Sequence, residues 1–180
     1  MTAPVHIPAL RRFLHLCCGL LLLVGSMGCS ATRIYVVRHA ERANDTDTTS
    51  LSPAGLARAD ALAERLADAS IDGIYVTPYL RTQQTAQPLA KRRKLPLTEY
   101  PVRPTQTLVD QLRLMRGRNV LVVGHSNTIL EIARGLGTTP TRQTIEHGDY
   151  DNLLVITSRR WLFGRQQSLQ ELTYGRPTAP

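Results

Sequence analysis

Short unbroken apolar runs alternate with stretches of helical spacing along most of this chain. The run Ile34-Tyr35-Val36-Val37 is rich in β-branched residues and predicts a buried strand over 33–37. Residues 43–50 are polar and predict a loop. Ser52 and Pro53 then open a helix, Ser52 as N-cap and Pro53 in the first turn. Leu56, Ala59, Leu62, Ala63, Leu66 and Ala69 carry its core-facing stripe to about residue 70. A second strand is predicted over 73–77, stopped by Pro78, and a helix over 80–93, where Pro88 should kink or shorten it. A short strand over 95–99 and a helix over 105–116 follow. A strand over 119–123 leads into a helix over 127–136, with Ser126 placed to cap it. A polar loop spans 138–151, a buried strand 153–157, and an edge strand or hairpin partner lies within 161–173. This alternation predicts an α/β fold: a three-layer α/β/α sandwich on a mostly parallel sheet, whose last one or two strands need not be parallel.

The 180 residues suggest one folded domain behind a leader. Arg11 and Arg12 precede an apolar stretch over 13–24, and small residues follow at Gly25, Ser26 and Gly28. That is the order of a secretory signal over 1–28, leaving 29–180 as the domain. The stretch is shorter than the ~20 residues of a membrane-spanning helix, which makes a transmembrane anchor the second reading. Cys17, Cys18 and Cys29 all fall in or at the end of the leader, so nothing after Cys29 can form an internal disulfide. Ser26-Met27-Gly28-Cys29 resembles the lipobox of bacterial lipoproteins, with Cys29 as the lipidated residue. Soluble export with cleavage near Ala31 is the alternative. The expected location is therefore periplasmic, either soluble or held to the membrane through Cys29.

The formal charge is +8, and +6 without the leader's two arginines, an excess that attracts anions. The run Lys91-Arg92-Arg93-Lys94 is assigned to a helix carboxyl end, where it suits the dipole. Two phenylalanines and one tryptophan offer nothing for base stacking, so nucleic acid is not an expected partner.

Candidate chemistry sits where strands end. Arg38-His39 follows the first strand, and Gly124-His125 follows the strand over 119–123. Ligands of open α/β sheets bind outside the carboxyl ends of strands, so these side chains are expected to converge on one pocket. A neutral imidazole at His39 is a competent nucleophile, and an adjacent arginine disfavours its protonation. Arg38 offers a planar fork of donors matched to phosphate oxygens, unless it forms a surface salt bridge with Glu41. Arg81 stands in the first turn of a helix, where a cation opposes the dipole but an anion binds well. His125 could donate a proton to an oxygen of the same anion.

Four blocks carry a resemblance: Arg38-His39-Ala40-Glu41, Leu51-Ser52-Pro53-Ala54-Gly55, Thr77-Pro78-Tyr79-Leu80-Arg81-Thr82-Gln83-Gln84-Thr85-Ala86, and Val122-Val123-Gly124-His125-Ser126-Asn127-Thr128. In order and spacing they resemble the histidine phosphatase superfamily, the phosphoglycerate mutase-like clan, over about 33–157. Ala40 stands where a Gly is usual, as in the short bacterial phosphohistidine phosphatases. The resemblance implies a phosphorylated nucleophile at His39, phosphate-binding arginines at Arg38 and Arg81, and a second pocket histidine at His125. It implies hydrolysis without metal or organic cofactor. The family's Asn six residues past the nucleophile is Asp45 here, with Asn44 one place early. For the general acid the resemblance favours Glu99, with Asp149, Asp151 and Glu41 as alternatives.

The expected function is an exported phosphatase acting on a small-molecule phosphate monoester or a phosphoprotein. A phosphomutase of the same family, a non-catalytic module that senses phosphorylated ligands, and a metalloenzyme using His39 and His125 are the competing readings. Loops 43–50 and 138–151 are expected to decide the substrate.

Overall fold

The computed structural model describes residues 31–161 and 164–178. The leader, with Cys17, Cys18 and the lipidation candidate Cys29, lies outside the described residues.

Six strands form one sheet in the order β3-β2-β4-β1-β5-β6. They are β1 (Thr32–Arg38), β2 (Gly73–Val76), β3 (Leu97–Glu99), β4 (Asn119–Gly124), β5 (Asn152–Trp161) and β6 (Gly164–Thr173). The first four run parallel to one another; β5 is antiparallel to β1, and β6 to β5. Helices α1 (Pro53–Arg65), α2 (Leu80–Arg93), α3 (Thr105–Leu114) and α4 (Ile129–Gly135) complete the fold. Alternate strand residues point to opposite faces, and two cores follow. Ile34, Val36, Val120, Val122, Leu154 and Ile156 pack with α3 and α4, including Leu108, Leu112 and Ile132. Val37, Ile74, Val76, Leu121, Val123 and Leu153 pack on the other face with α1 and α2, including Leu62 and Leu89. The predicted three-layer sandwich is the observed one.

Local differences from the sequence reading have physical causes. Helix α1 ends at Arg65, where Leu66 leaves helical geometry and its N–H reaches back to Glu64 and Leu62. Helix α2 keeps its whole predicted span through Pro88 and closes on Lys94 in the left-handed region, φ 55. Ser126 does not cap α4. Thr128 stands at the N-cap position, and its Oγ1 accepts from the His125 N–H at 3.0 Å. The expected edge partner is a ten-residue strand paired with β5 along its full length.

Two packing details aim the site. Ser52 caps α1 by accepting from the Gly55 N–H at 3.1 Å, and its own N–H donates to the Glu41 carbonyl at 2.9 Å. A Cβ on Gly55 would stand 2.2 Å from that carbonyl oxygen, so glycine lets α1 press against the segment after His39.

Candidate active site

The β1–β4 register pairs Arg38 with Gly124, and the His39 N–H donates to the Gly124 carbonyl at 2.9 Å. His39 and His125 therefore leave adjacent strand ends side by side. Their ring centroids are 5.4 Å apart and the rings meet edge to face. Arg38, His39, Arg81 and His125 are all buried. The four side chains singled out in the sequence share one space.

The hydrogen bonds fix the ring protons. His39 Nδ1 lies 2.8 Å from the Ala40 carbonyl. A carbonyl only accepts, so Nδ1 carries the proton and Nε2 keeps its lone pair. His125 Nε2 lies 3.0 Å from Thr77 Oγ1, which lies 3.0 Å from Thr82 Oγ1. Thr82 has one hydroxyl proton and gives it to the Thr77 or Tyr79 carbonyl, at 2.9 and 2.8 Å. Thr77 must then donate to Thr82 and accept from His125, which places the neutral ring's proton on Nε2 and frees Nδ1. Thr77→Val, which keeps the shape, should lower kcat about tenfold, the worth of one net hydrogen bond, with KM nearly unchanged. Thr77→Ser should restore it. Steady-state kinetics on both variants check this.

Burial is the main cause that holds His39 down to about pKa 3, with His125, Arg38 and Arg81 pushing the same way and the Ala40 carbonyl opposing. Burial likewise lowers His125 to about 4, reinforced by Arg81, Arg38 and Arg42. The adjacent arginine contributes as the sequence suggested, but desolvation dominates. Both rings are neutral at pH 7. Folded, they bind protons less readily than at their ordinary value of 6.5, so the unfolded chain takes up more protons as pH falls. Their contribution to stability is complete above pH 6.5 and is lost progressively toward pH 4. Thermal denaturation should give a lower Tm at pH 5 than at pH 7, and added inorganic phosphate, which favours protonated rings, should narrow the gap.

The arginines are held by loop carbonyls, and each keeps one buried nitrogen unpaired. Arg38 Nη1 donates to the carbonyls of Glu146, His147 and Asp149 at 2.8, 3.0 and 3.0 Å, and its Nε is buried without a partner. Arg81 Nη1 donates to the Asp47 carbonyl at 2.8 Å, and its Nε too is buried and unpartnered. Each guanidinium lies against a tyrosine ring: Arg38 over Tyr150 at 4.0 Å and Arg81 over Tyr79 at 4.1 Å. Tyr79 also meets His125 edge on at 5.4 Å. Buried donors without partners call for a ligand. Two of them, on the cations beside paired neutral imidazoles, fit an oxyanion such as phosphate. Among the described residues, no three His, Cys, Asp or Glu side chains group to hold a metal ion.

Both predicted specificity loops close on these arginines. Loop 43–50 sits on Arg81 through Asp47, and loop 138–151 on Arg38. Sequence reasoning missed Arg42, whose Nη2 donates to Asp45 at 2.6 Å and lies 3.4 Å from His147 Nε2. Its position three residues past the nucleophile was the available signal. It also missed Tyr79, Tyr150 and Thr77, which read as unremarkable loop or strand residues. Asn44, the near match to the family Asn, accepts from the Thr46 N–H and hydroxyl in a local turn.

Three of the four general-acid candidates have other partners. Glu41 forms a two-oxygen pair with Arg58 Nε at 2.9 and 3.0 Å, which also removes it as the partner of Arg38. Asp149 pairs with Arg142 at 2.6 Å and accepts from Asn152. Asp151 accepts from the Thr178 N–H at 3.0 Å. Glu99, exposed at the end of β3, has a single neutral contact, from Gln83 Nε2 at 3.0 Å. A further carboxylate, Asp47, stands exposed 3.9 Å from Arg81 Nη2.

The geometry can be set beside known proteins. Residues 34–102 match the histidine phosphatase superfamily, branch 1. An uncharacterized protein of Mycobacterium tuberculosis is 34% identical over 96 residues, which are 49% of this chain and 45% of that one. The chain thus spans under half the length of the curated relatives it matches. Among solved structures, mycobacterial hydrolase 2 superposes with a TM-score of 0.66 at 15% identity, covering 83% of this chain and 93% of the other. A mycobacterial glucosyl-3-phosphoglycerate phosphatase superposes at 0.65 and 16% identity, covering 81% and 100%. A SixA protein from Agrobacterium tumefaciens does so at 0.54 and 19%, covering 81% and 97%. At these identities the likeness is one of fold, and the fold is that of the phosphoglycerate mutase-like histidine phosphatases.

Proposed function

We propose that the protein is an exported phosphatase that hydrolyses a phosphate monoester or phosphoprotein through a phosphohistidine at His39. The observation that carries this is the pair of unpartnered guanidinium nitrogens flanking two neutral imidazoles. The family segment, and phosphatases among proteins of like fold, support it at the level of the superfamily. The leader's signal-like order and Cys29 support export, with lipidation of Cys29 as the mode of attachment.

In this mechanism the phosphoryl group lies between Arg38, Arg81 and His125, whose free Nδ1 shares the proton of the monoanionic ester. His39 Nε2 attacks phosphorus in line while Nδ1–H stays on the Ala40 carbonyl. The N–P bond forms as the bond from phosphorus to the ester oxygen breaks. The departing oxygen takes a proton from a carboxylic acid, which we assign to Glu99, with Asp47 as the nearer alternative to Arg81. Water then attacks phosphorus, returns a proton to that carboxylate, and releases inorganic phosphate and free His39. Fixed donors stabilise the charge on the equatorial oxygens, the main catalytic term in phosphoryl transfer.

A panel of phosphate esters offered to the protein tests the reading. Release of inorganic phosphate, undiminished by chelator, is the expected result. Glu99→Gln should lose more rate on alkyl phosphates than on p-nitrophenyl phosphate, whose leaving group needs no proton. Phosphate exchange between positions of one substrate without release would indicate a mutase instead. Tight binding of phosphate esters without turnover would indicate a sensing module.

A further inference from the structure

The end of the sheet opposite the site carries the chain's positive charge. Strands β1 to β4 run toward the site, and the helices between them run back, so the helix carboxyl ends and strand starts share the far end. Arg65 and the run Lys91-Arg92-Arg93-Lys94 lie there at the ends of α1 and α2. Arg113, Arg116 and Arg118 lie around the end of α3, and Arg33, Arg159, Arg160 and Arg165 on strands. Glu64, Asp68, Asp72 and Asp110 are the acids of that end, so cations outnumber them three to one. The remainder of the folded body carries more acids than cations. Dipole compensation accounts for a few lysines and arginines at helix ends, but not for three more on one hairpin.

That hairpin projects beyond the sheet. The last β1–β5 pair is Thr32 with Ser158, whereas β5 and β6 continue pairing through Arg159–Gln166, Arg160–Arg165 and Trp161–Gly164. Three residue pairs of overhang reach roughly 10 Å past β1. Trp161 is half exposed at the overhang, with Arg159, Arg160 and Arg165 beside it on the two strands. Leu114, 77% exposed at the end of α3, belongs to the same end. The thirty residues before Ala31, with their apolar stretch over 13–24, join the body beside this overhang, one residue ahead of Thr32.

A half-exposed tryptophan among arginines, set on a cationic face with an exposed leucine, matches a bilayer interface. Tryptophan sits at headgroup depth, and lysines and arginines meet anionic headgroups. We infer that the overhanging end of the β5–β6 hairpin, at Arg159, Arg160, Trp161 and Arg165, and the cations around it form a docking face for an anionic lipid bilayer, a contact made by the folded domain in addition to any made by the leader. Docked this way, the body holds His39 at the opposite end of β1, roughly 30 Å from the lipid.

Trp161 is the chain's single tryptophan, so its emission reports this contact directly. The full chain is mixed with vesicles of phosphatidylcholine alone or with added phosphatidylglycerol, some carrying brominated acyl chains. The expected result is a blue shift of Trp161 emission and quenching by brominated lipid that require phosphatidylglycerol and weaken with salt. Each basic residue at an anionic surface is worth about fivefold in partitioning. Arg159→Glu/Arg160→Glu should thus lower the phosphatidylglycerol-dependent partitioning by about 25-fold or more, with unchanged thermal stability and unchanged turnover of a soluble ester. Sedimentation of the protein with vesicles while Trp161 emission stays fixed would mean attachment by the leader alone and would overturn the inference. So would equal partitioning of the double variant and the parent. A lipid-independent shift that grows with protein concentration would replace the bilayer with a second copy of the chain.

Discussion

His39→Ala is expected to lower kcat for phosphate release by about 10⁴-fold or more while leaving the fold intact. The magnitude follows from the role: removing the group that forms the covalent intermediate closes the two-step route and leaves only what binding and fixed donors supply. The fold should survive because the strand-end hydrogen bond, from the His39 N–H to Gly124, belongs to the backbone. The variant should still bind inorganic phosphate, since Arg38, Arg81 and His125 remain, and a phosphate-dependent rise in Tm measures that. Turnover within tenfold of the parent would remove His39 as nucleophile.

Arg38→Ala is the second large effect. One Arg38 nitrogen ties three carbonyls of loop 138–151, and another is buried without a partner. Loss of one preorganised charge donor to a transition state costs about 10²–10³-fold. Displacement of Tyr150, stacked on the guanidinium, should put Arg38→Ala at the upper end, about 10³-fold in kcat/KM. The unpaired carbonyls should also cost about 1–3 kcal/mol of stability, read by denaturant titration. Arg38→Lys should not rescue the rate, because a single ammonium cannot serve loop and phosphate together. A stability loss with kcat/KM within tenfold of the parent would reduce Arg38 to a loop anchor.

The core of the site was readable because strand ends are readable. Unbroken apolar runs marked β1 and β4, and the residues that follow such runs are delivered to one edge of a parallel sheet. His39, His125 and Arg38 could therefore be placed together from sequence, and Arg81 from its position in the first helical turn. What escaped depends on tertiary closure. Nothing local says that Arg38 reaches over a hundred residues along the chain to Glu146 and Asp149, or that Tyr79 and Tyr150 stack on the two guanidinium groups. Three of the four acid candidates have partners that the sequence did not reveal, for the same reason. Glu41, Asp149 and Asp151 looked like free carboxylates in sequence, and distant partners on α1, loop 138–151 and the carboxyl-terminal segment claim them. Helix limits slipped where the last turn is set by packing: Ala59, Leu62, Ala63, Leu66 and Ala69 do face the core, but Leu56, at the start of the predicted stripe, is exposed, and the chain leaves the helix after Arg65.

The central claim is tested most directly by trapping the intermediate. Protein quenched in alkali during turnover of a phosphate ester labelled on phosphorus should yield one labelled peptide, containing His39, whose label is stable to base, lost in acid and absent from His39→Ala. Continued turnover with no label on that peptide, or with label on another residue, would contradict the account.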